Sequence, residues 1–358
     1  MLDLILFVLA IVALIWAVAR YHLMASDLSA HDHDTGERFS REAEPGAELN
    51  AVLGRIGGMR GVLKAVPMRQ HTAALRKYMD EMFADRTFNT SFTPVDAGGV
   101  PGEWVMAPGA DTSRRTLYIH GGAFAMGSPL SHRTLTSRFA EMTDGVVLAI
   151  DYRLMPEHRR LAGIEDCRQA YAWMLDHGPD GQQAASAVFV AGDSAGGNLT
   201  LSLLNWVRDQ GLRAPNAAVA LSPATDATLA SPSLRANVTT DAMLGPLFGK
   251  LAKVPAMLVL WGGWLQTRIR PNDPVVSPVH ADLSGLPPVL VQASTSEMLF
   301  DDARRYVNKA QKAGSPVTLQ SWDHMVHVWQ IFNPELPEAN QALDKIGQFL
   351  AQAAPARR

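Results

Sequence analysis

Short apolar runs alternate with segments of helical periodicity along most of the chain. A continuous apolar run is typical of a strand buried on both faces of a parallel sheet. A helical pattern over residues 164–175 separates two of these runs, and Gly98-Gly99 with Pro101-Gly102 predicts a hairpin before them. The alternation predicts an α/β fold with a doubly wound, mostly parallel sheet. The predicted strands are residues 116–119, 146–150, 187–191, 217–221, 288–291 and 317–319.

The stretch 187–207 changes from strand to helix around a single serine. Its apolar run is followed by Gly-Asp-Ser-Ala-Gly-Gly, after which Leu199, Leu203 and Val207 recur at helical spacing. In this context G-x-S-x-G predicts a nucleophile elbow, a tight turn whose serine backbone is strained and whose neighbours must be small. The start of the helix directs backbone N–H groups towards negative charge on a substrate. Ser194 is therefore the candidate nucleophile.

The alternation of strands and helices stops between residues 225 and 274. This segment is too apolar for an exposed loop, with Met243, Phe248, Trp261 and Trp264 among its members. We expect it to form a helical insertion that belongs to a cap, or lid. Residues 51–90 show further helical patterns with several basic residues, and we assign them to the cap as its N-terminal helices. Their basic side chains fit either a membrane-surface position or an ordinary solvated helix face.

Residues 4–19 form an unbroken apolar run. Sixteen helical residues span ~24 Å, slightly less than the ~30 Å hydrocarbon core of a bilayer. We expect residues 1–24 to be a single-pass membrane anchor, with a cleaved signal peptide (and hence a secreted protein) and a buried or surface-lying helix as alternatives. Arg20, Arg38 and Arg41 all follow the run, which favours a cytoplasmic main body.

Residues 25–50 are polar and are expected to link the anchor to a catalytic domain over residues 91–358. The sequence His-Asp-His-Asp at 31–34 could form a weak metal site, but a solvated linker is the favoured interpretation. We therefore predict no metal site.

Composition narrows the function classes. The net charge of -3 gives no basic face for nucleic acid. Cys167 is the single cysteine, which excludes an intramolecular disulfide and a cysteine-based zinc site. It shares a helical stripe with Ile164 and Tyr171, so we expect it in the core.

Ester hydrolysis by serine also requires a base, an acid that orients the base, and donors for the oxyanion. Oxyanion donors in α/β-hydrolases come from a loop after an early strand and from the residue behind the nucleophile. His120-Gly121-Gly122 directly follows the strand at 116–119. We predict an oxyanion hole made by the N–H groups of Gly121, Gly122 and Ala195.

Three motifs in this order resemble the hormone-sensitive-lipase branch of the α/β-hydrolases. They are H-G-G-A-F at 120–124, D-Y-R-L-M-P-E-H at 151–158 and G-D-S-A-G-G at 192–197. The resemblance covers roughly residues 90–350 and implies a carboxylesterase or deacetylase that needs no cofactor. Ala123 departs from the third glycine frequent in this branch; its methyl group should narrow the site slightly without removing a backbone donor.

The resemblance implies an acid after the strand at 288–291, in a D-x-L-x-D pattern. Here the pattern begins with Glu297, which we predict as the triad acid because glutamate can do the same work from one methylene further back. Asp301 and Asp302 are the alternatives. They fit better in the first turn of the next helix, where acids complement the helix dipole.

The base is expected after the last strand, where two histidines lie close together. His327 stands before Val328 and Trp329, as the catalytic histidine of the resembling family stands before apolar or aromatic residues. His324 is the alternative. The predicted order Ser194, Glu297, His327 is the order that α/β-hydrolases follow.

His120, Asp193, Asp151 and Glu157 are predicted to brace the elbow and the oxyanion loop rather than to react. The combined prediction is a membrane-anchored serine carboxylesterase acting on lipophilic, short- to medium-acyl esters through an acyl-enzyme. An amidase or deacetylase with the same triad is one alternative. A non-catalytic ligand-binding receptor on the same fold is another, less favoured because such receptors lose a triad member.

Overall fold

The computed structural model describes residues 1–24, 26–40 and 46–355. Within them, nine strands form one sheet in the order β1-β11-β10-β9-β8-β4-β5-β3-β2, and β6 and β7 form a separate hairpin. The strands are β1 (Glu37–Phe39), β2 (Ser91–Asp96), β3 (Pro101–Met106), β4 (Arg114–Ile119), β5 (Val146–Ile150), β6 (His177–Gly178), β7 (Gly181–Gln182), β8 (Ala187–Asp193), β9 (Ala217–Leu221), β10 (Val289–Ser294) and β11 (Val317–Trp322).

The sheet is parallel from β1 to β5 and antiparallel only at the edge formed by β3 and β2. Its helices cover both faces, so the predicted fold class is confirmed. The helices of the described chain are α1 (Leu2–Val18), α2 (Ala47–Ala65), α3 (His71–Glu81), α4 (Arg133–Met142), α5 (Arg160–Met174), α6 (Ala195–Asp209), α7 (Ser233–Ala236), α8 (Leu244–Phe248), α9 (Ala256–Thr267), α10 (Phe300–Lys312) and α11 (Pro337–Ala353).

The central strand β8 contributes to two cores at once. Val188 and Val190 pack on the face covered by α5, α6 and α10, whereas Phe189 and Ala191 pack on the face covered by α4 and α11. Successive side chains of a strand point to opposite faces, so a strand covered on both sides must be apolar at every position. This is why continuous apolar runs located the strands. Cys167 of α5 is buried in the first of the two cores, as expected.

The cap has two parts that come together over the sheet. Helices α2 and α3 precede the first hairpin, and α7, α8 and α9 occupy the segment predicted as a helical insertion. Met59 of α2, Met79 of α3 and Phe248 of α8 line the same cavity as Ser194. The cap therefore covers the carboxyl edge of the parallel strands, where β8 ends.

The segment expected to be a free polar linker differs from that expectation, because much of it packs on the domain. β1 adds to the edge of the sheet by pairing with β11. Asp32 forms an ion pair with Arg305 of α10, and the Asn308 amide donates to the main-chain oxygens of His31 (2.9 Å) and His33 (2.7 Å). Side-chain donors of Arg305 and Asn308 on α10 thereby find acceptors in residues 31–33. In the described part of the chain, no group of three or more His, Cys, Asp or Glu side chains is arranged to hold a metal ion.

A helix over Asp3–Leu23 is long and apolar enough to cross a membrane, and a signal sequence near an N-terminus has the same properties. Most of it is exposed, including Arg20, Tyr21 and His22, but two residues near its end are not. Ala19 and Leu23 are buried against Leu260 of α9. The end of the candidate span is therefore part of the packed cap.

Candidate active site

Ser194 lies in the turn between β8 and α6 with a strained backbone, φ 53° and ψ -113°. The two glycines of the motif are steric requirements of this turn. A Cβ at Gly192 would lie 2.6 Å from the main-chain oxygens of Gly196 and Ile119, and one at Gly196 would lie 1.9 Å from that of Ile119. Real Cβ atoms do not approach backbone so closely. The strain holds the serine side chain at the end of the sheet.

His327 lies within hydrogen-bond distance of the serine. Its Nε2 is 2.9 Å from Ser194 Oγ. The loop after β11 carries the ring to this position, and the Val328 N–H anchors the loop by donating to Ser222 Oγ at 3.2 Å. At 2.9 Å, His327 Nε2 is close enough to act as the base that takes the proton of the attacking Ser194 hydroxyl.

Glu297 completes a continuous chain of hydrogen bonds. Its Oε2 is 2.6 Å from Nδ1 of His327, and its Oε1 accepts the Ser294 N–H at 3.0 Å. The side chain is fully buried. With Nδ1 bonded to the carboxylate, Nε2 of a neutral His327 is free to accept the serine proton.

The charges of this pair depend on each other. Burial alone would lower the pKa of His327, but Glu297 raises it above its ordinary value of 6.5. Burial raises the pKa of Glu297, while the hydrogen bond from His327 acts in the opposite direction. The carboxylate therefore stabilises an imidazolium in a place where water cannot do so.

The alternative acids and the alternative base lie elsewhere. Asp301 accepts the Ser233 N–H at 2.8 Å, and Asp302 accepts the N–H groups of Thr225 (2.7 Å) and Asp226 (2.9 Å). Both therefore hold the loop that leads into the cap. His324 is exposed, with a positive φ of 62°. The structure brings together Ser194, His327 and Glu297, the set preferred from the sequence.

The oxyanion loop departs from the prediction at one position. The Gly121 N–H donates to Asp193 Oδ1 at 3.1 Å and points into the core, so it is not a free donor. Gly122 and Ala123, with φ of 113° and 54°, line the cavity beside Ser194. Neither of their N–H groups donates a hydrogen bond within the described chain. Ala195 is the first residue of α6, so its N–H has no acceptor within the helix. The geometry therefore offers Gly122, Ala123 and Ala195 as donors.

Ala123 was left out of the predicted donors, although its methyl group was expected to leave the backbone donor in place. A signal was present in the sequence nonetheless. The buried carboxylate of Asp193 needs donors, and the nearest backbone N–H groups come from the loop that follows β4. Whichever N–H it engages is lost to the oxyanion.

Asp193 is held by two further side chains that the sequence did not single out. Tyr118 donates its hydroxyl to Oδ1 at 2.9 Å, and Nε2 of His132 lies 3.3 Å from Oδ2. Burial would raise the pKa of Asp193, yet His132 keeps it below its ordinary value. Burial would lower the pKa of His132, yet Asp193 raises it. A buried contact between a carboxylate and an imidazole thus lies directly behind the nucleophile.

His120 fixes the start of the oxyanion loop. Its Nδ1 bonds to the Gly121 carbonyl at 2.8 Å, and its ring stacks on Tyr152 with 4.4 Å between centroids. Tyr152 in turn donates its hydroxyl to the His120 carbonyl at 2.9 Å. Burial and the neighbouring His132 lower the pKa of His120 to about 3, so the ring stays neutral. The side chain positions the backbone and carries no positive charge at neutral pH.

Of the two acids expected to brace the loop from residues 151–157, only Glu157 has a visible partner. Arg76 of α3 pairs with Glu157 at 2.8 Å and also donates to the carbonyls of Ala125 (2.8 Å) and Met155 (3.0 Å). Arg76 thereby ties the cap to the oxyanion loop. The Asp151 carboxylate is exposed and makes no hydrogen bond within the described chain.

Two apolar cavities meet at Ser194. The smaller, about 100 Å³, extends under α2 and α3, with Met59, Leu75 and Phe83 in its walls. The larger, about 320 Å³, extends under the insertion, with Leu234, Leu251 and Met298 in its walls. Two apolar arms from one nucleophile suit a substrate with apolar groups on both sides of the reacting carbonyl.

A family model described as alpha/beta hydrolase fold matches residues 116–331. An esterase of the bacterial hormone-sensitive lipase family superposes with a TM-score of 0.75 and 36% identity, over 87% of this chain and 99% of the esterase. The chain belongs to this hormone-sensitive-lipase-like family of α/β-hydrolases. The resemblance seen in the motifs is confirmed.

Relatives in this family carry hydrolase names. An acetyl-hydrolase of Streptomyces hygroscopicus is 39% identical over 260 residues, which cover 72% of this chain and 82% of the relative. An esterase of Acinetobacter venetianus is 35% identical over 278 residues, which cover 77% and 88%. The residues matched by the family model, 116–331, contain the elbow and the oxyanion loop.

Proposed function

We propose that this member of the family is a serine carboxylester hydrolase that cleaves lipophilic, short- to medium-acyl esters through an acyl-enzyme. One observation carries the proposal: an uninterrupted chain of hydrogen bonds runs from Ser194 through His327 to the buried Glu297. The Ser194 end of this chain lies between two apolar cavities. The esterases and acetyl-hydrolase among the relatives support the same reaction class.

The geometry suggests a specific sequence of steps. Ser194 Oγ attacks the acyl carbon while His327 Nε2 takes its proton, and Glu297 stabilises the imidazolium. The negative oxygen forms beside the N–H groups of Gly122, Ala123 and Ala195, each donor typically contributing ~3 kcal/mol to lowering the barrier. His327 then protonates the leaving alcohol, and water attacks the acyl-enzyme by the same route. Every proton is accounted for by the three side chains and water.

We also propose that residues 1–24 anchor the enzyme to a membrane in a single pass, with the catalytic body on the cytoplasmic side. The support is the helix over Asp3–Leu23 and the position of Arg20 and Arg38 after it. Its last turn is packed against α9, and a segment that is cleaved off would leave that contact exposed.

Amide hydrolysis is a second candidate, since a relative is named an acetyl-hydrolase and the same triad can cleave an acetyl amide. A panel of p-nitrophenyl esters of graded acyl length, run beside p-nitroacetanilide, tests both. We expect the highest kcat/KM on esters of two to about eight acyl carbons, a range suited to cavities of this size. Higher kcat/KM on the anilide would favour the amidase. A protein that neither hydrolyses these substrates nor is labelled by a fluorophosphonate at Ser194 would be a binding protein.

A further inference from the structure

Helix α9 presents an apolar surface to the outside of the cap. Leu258 and Leu265 are 63% and 52% exposed, and their spacing of seven residues places them on one face. Leu251 and Val254, just before the helix, are exposed as well. Four large apolar side chains in one short segment are more than the scattered exposed residues normal for a soluble surface.

The opposite face of α9 packs against the end of the candidate membrane span. Leu260 is buried between Ala19 and Leu23, and Trp261 and Trp264 pack around this contact. The helix therefore lies at the level where the apolar run of α1 ends. Its 12 residues cover ~18 Å, too little to cross a ~30 Å hydrocarbon core but enough to lie along its surface. Tryptophans are enriched at that depth of a membrane.

The segment of the chain that contains α9 carries charge of one sign. Residues 242–272 contain Lys250, Lys253, Arg268 and Arg270 and no Asp or Glu. All four flank the apolar face, two before the helix and two after it. Arg20 adds a fifth positive charge at the end of the membrane span. A basic residue close to an anionic lipid surface contributes ~1 kcal/mol to binding, so this surface fits a bilayer that contains anionic lipid.

A second cavity lies between the end of the anchor and the cavity that contains the nucleophile. A space of about 430 Å³ lies between Arg20 and Met24 of the anchor and the insertion. It shares Leu229, Arg235 and Ala256 with the larger cavity beside Ser194. Only this shared wall separates the anchor's end from the space in which an acyl chain would lie.

We propose that α9 lies in the surface of the bilayer that holds α1, so that an ester dissolved in the membrane enters the cavity of Ser194 directly from the lipid. The proposal rests on the proposed anchoring and esterase activity and adds a membrane-docked cap and a membrane-resident substrate. The occupant of the apolar face is a phospholipid bilayer with anionic headgroups.

The docking is tested with the full-length protein carrying Leu265→Cys, reconstituted in vesicles of phosphatidylcholine and phosphatidylglycerol. An environment-sensitive fluorophore is attached to the new thiol; Cys167 is buried and stays unlabelled. The matched control is Gln182→Cys, exposed and located before β8 begins, at the opposite edge of the sheet from Ser194. We expect doxyl-labelled lipids to quench the label at position 265 and to leave the label at 182 unchanged. Equal quenching at the two positions would overturn the docking.

The route is tested with Leu258→Glu/Leu265→Glu, compared with Leu258→Met/Leu265→Met, which keeps the face apolar. Neither leucine lines the cavities beside Ser194. We expect the acidic pair to lower hydrolysis of a long-chain ester held in vesicles by about tenfold, equivalent to ~1.4 kcal/mol. Hydrolysis of a water-soluble p-nitrophenyl ester should stay the same in both variants. An unchanged rate on vesicle-held ester, or an equal loss on both substrates, would contradict the route.

The two measurements distinguish the proposed docking from the proposed anchoring and esterase activity on which it rests. Lipid quenching at position 265 does not depend on catalysis, and hydrolysis of the soluble ester does not depend on α9. A protein that lacks esterase activity but is quenched at 265 would retain the docking and lose the proposed reaction. An active, membrane-bound protein without quenching at 265 would retain the reaction and the anchor and lose the docking.

Discussion

The backbone N–H of Gly121 donates a hydrogen bond to Asp193 Oδ1 across 3.1 Å. Asp193 is the residue before the nucleophile, so one carboxylate links the elbow to the oxyanion loop. The space between them is closed: a Cβ at Gly121 would lie 2.1 Å from Asp193 Oδ2. The relative position of Ser194 and its oxyanion donors therefore depends on a side chain that is buried behind the nucleophile.

Ser194→Ala should reduce ester hydrolysis by at least about 10⁴-fold, because loss of a triad nucleophile removes the covalent route. The serine hydroxyl has His327 as its partner, so the fold should be kept, with an unchanged circular dichroism spectrum. Steady-state kinetics and fluorophosphonate labelling measure the effect. Activity within tenfold of the parent would contradict the assignment of the nucleophile.

Glu297→Gln should lower kcat by about 10³- to 10⁴-fold, since the amide can neither stabilise the imidazolium nor favour the productive tautomer. Asp301→Asn is the control. The Asp301 carboxylate binds the Ser233 N–H and Arg304. Its loss should therefore lower the melting temperature and leave kcat nearly unchanged. If Asp301→Asn were the more damaging change to kcat, the acid role would move to Asp301.

Asp193→Asn should lower kcat by up to about a hundredfold with little change in KM, because a small displacement of reacting groups is costly to the chemical step. The substitution removes the charge that pairs with His132 and weakens the hold on Gly121. Tyr118→Phe, which removes one hydrogen bond and keeps the charge, should have a smaller effect. A folded Asp193→Asn variant with parental kcat would show that the loop is positioned by other contacts.

The acidic limb of kcat/KM should lie above pH 6.5. Catalysis needs neutral His327, whose pKa is raised by Glu297, so activity is lost as pH falls through that raised value. The same shift means that the charged pair stabilises the fold below pH 6.5 and loses this contribution as pH rises through the folded pKa. In Glu297→Gln the largest raising influence on the pKa of His327 is lost while burial still lowers it, so the residual activity should show its acidic limb at lower pH. An unmoved limb would assign the titration to another group.

Removing residues 1–18 should release a soluble enzyme with kcat/KM on a short-chain ester within about twofold of the parent, because the exposed part of α1 contributes little packing. Removing residues 1–24 should be worse, because it also deletes Ala19 and Leu23 and uncovers Leu260. High-speed centrifugation and kinetics compare the two. A large kinetic loss in the shorter deletion would place α1 in the pocket. If the protein isolated from its natural source is soluble and lacks its first ~19–24 residues, a cleaved signal peptide is supported instead.

Local pattern was enough for most of the chemistry. The strands of the parallel sheet, the elbow at Ser194 and the order Ser194, Glu297, His327 follow from apolar runs and from short motifs with a known structural context. These features are local because a doubly buried strand must be apolar throughout and a tight turn must have small neighbours. The family resemblance then placed Glu297 ahead of Asp301, and the catalytic roles of all three remain predictions for the experiments above.

Tertiary structure decided what depends on residues far apart in the chain. Gly121 and Gly122 look alike in the sequence, and only the position of Asp193 shows which N–H is already engaged. His132 carries no local signal for its bond to Asp193. The polar composition of residues 25–50 suggested a free linker, whereas Asp32 finds Arg305 on a distant helix. Hydrogen bonds between distant segments depend on how the elements pack, and polarity along the chain does not encode the partner.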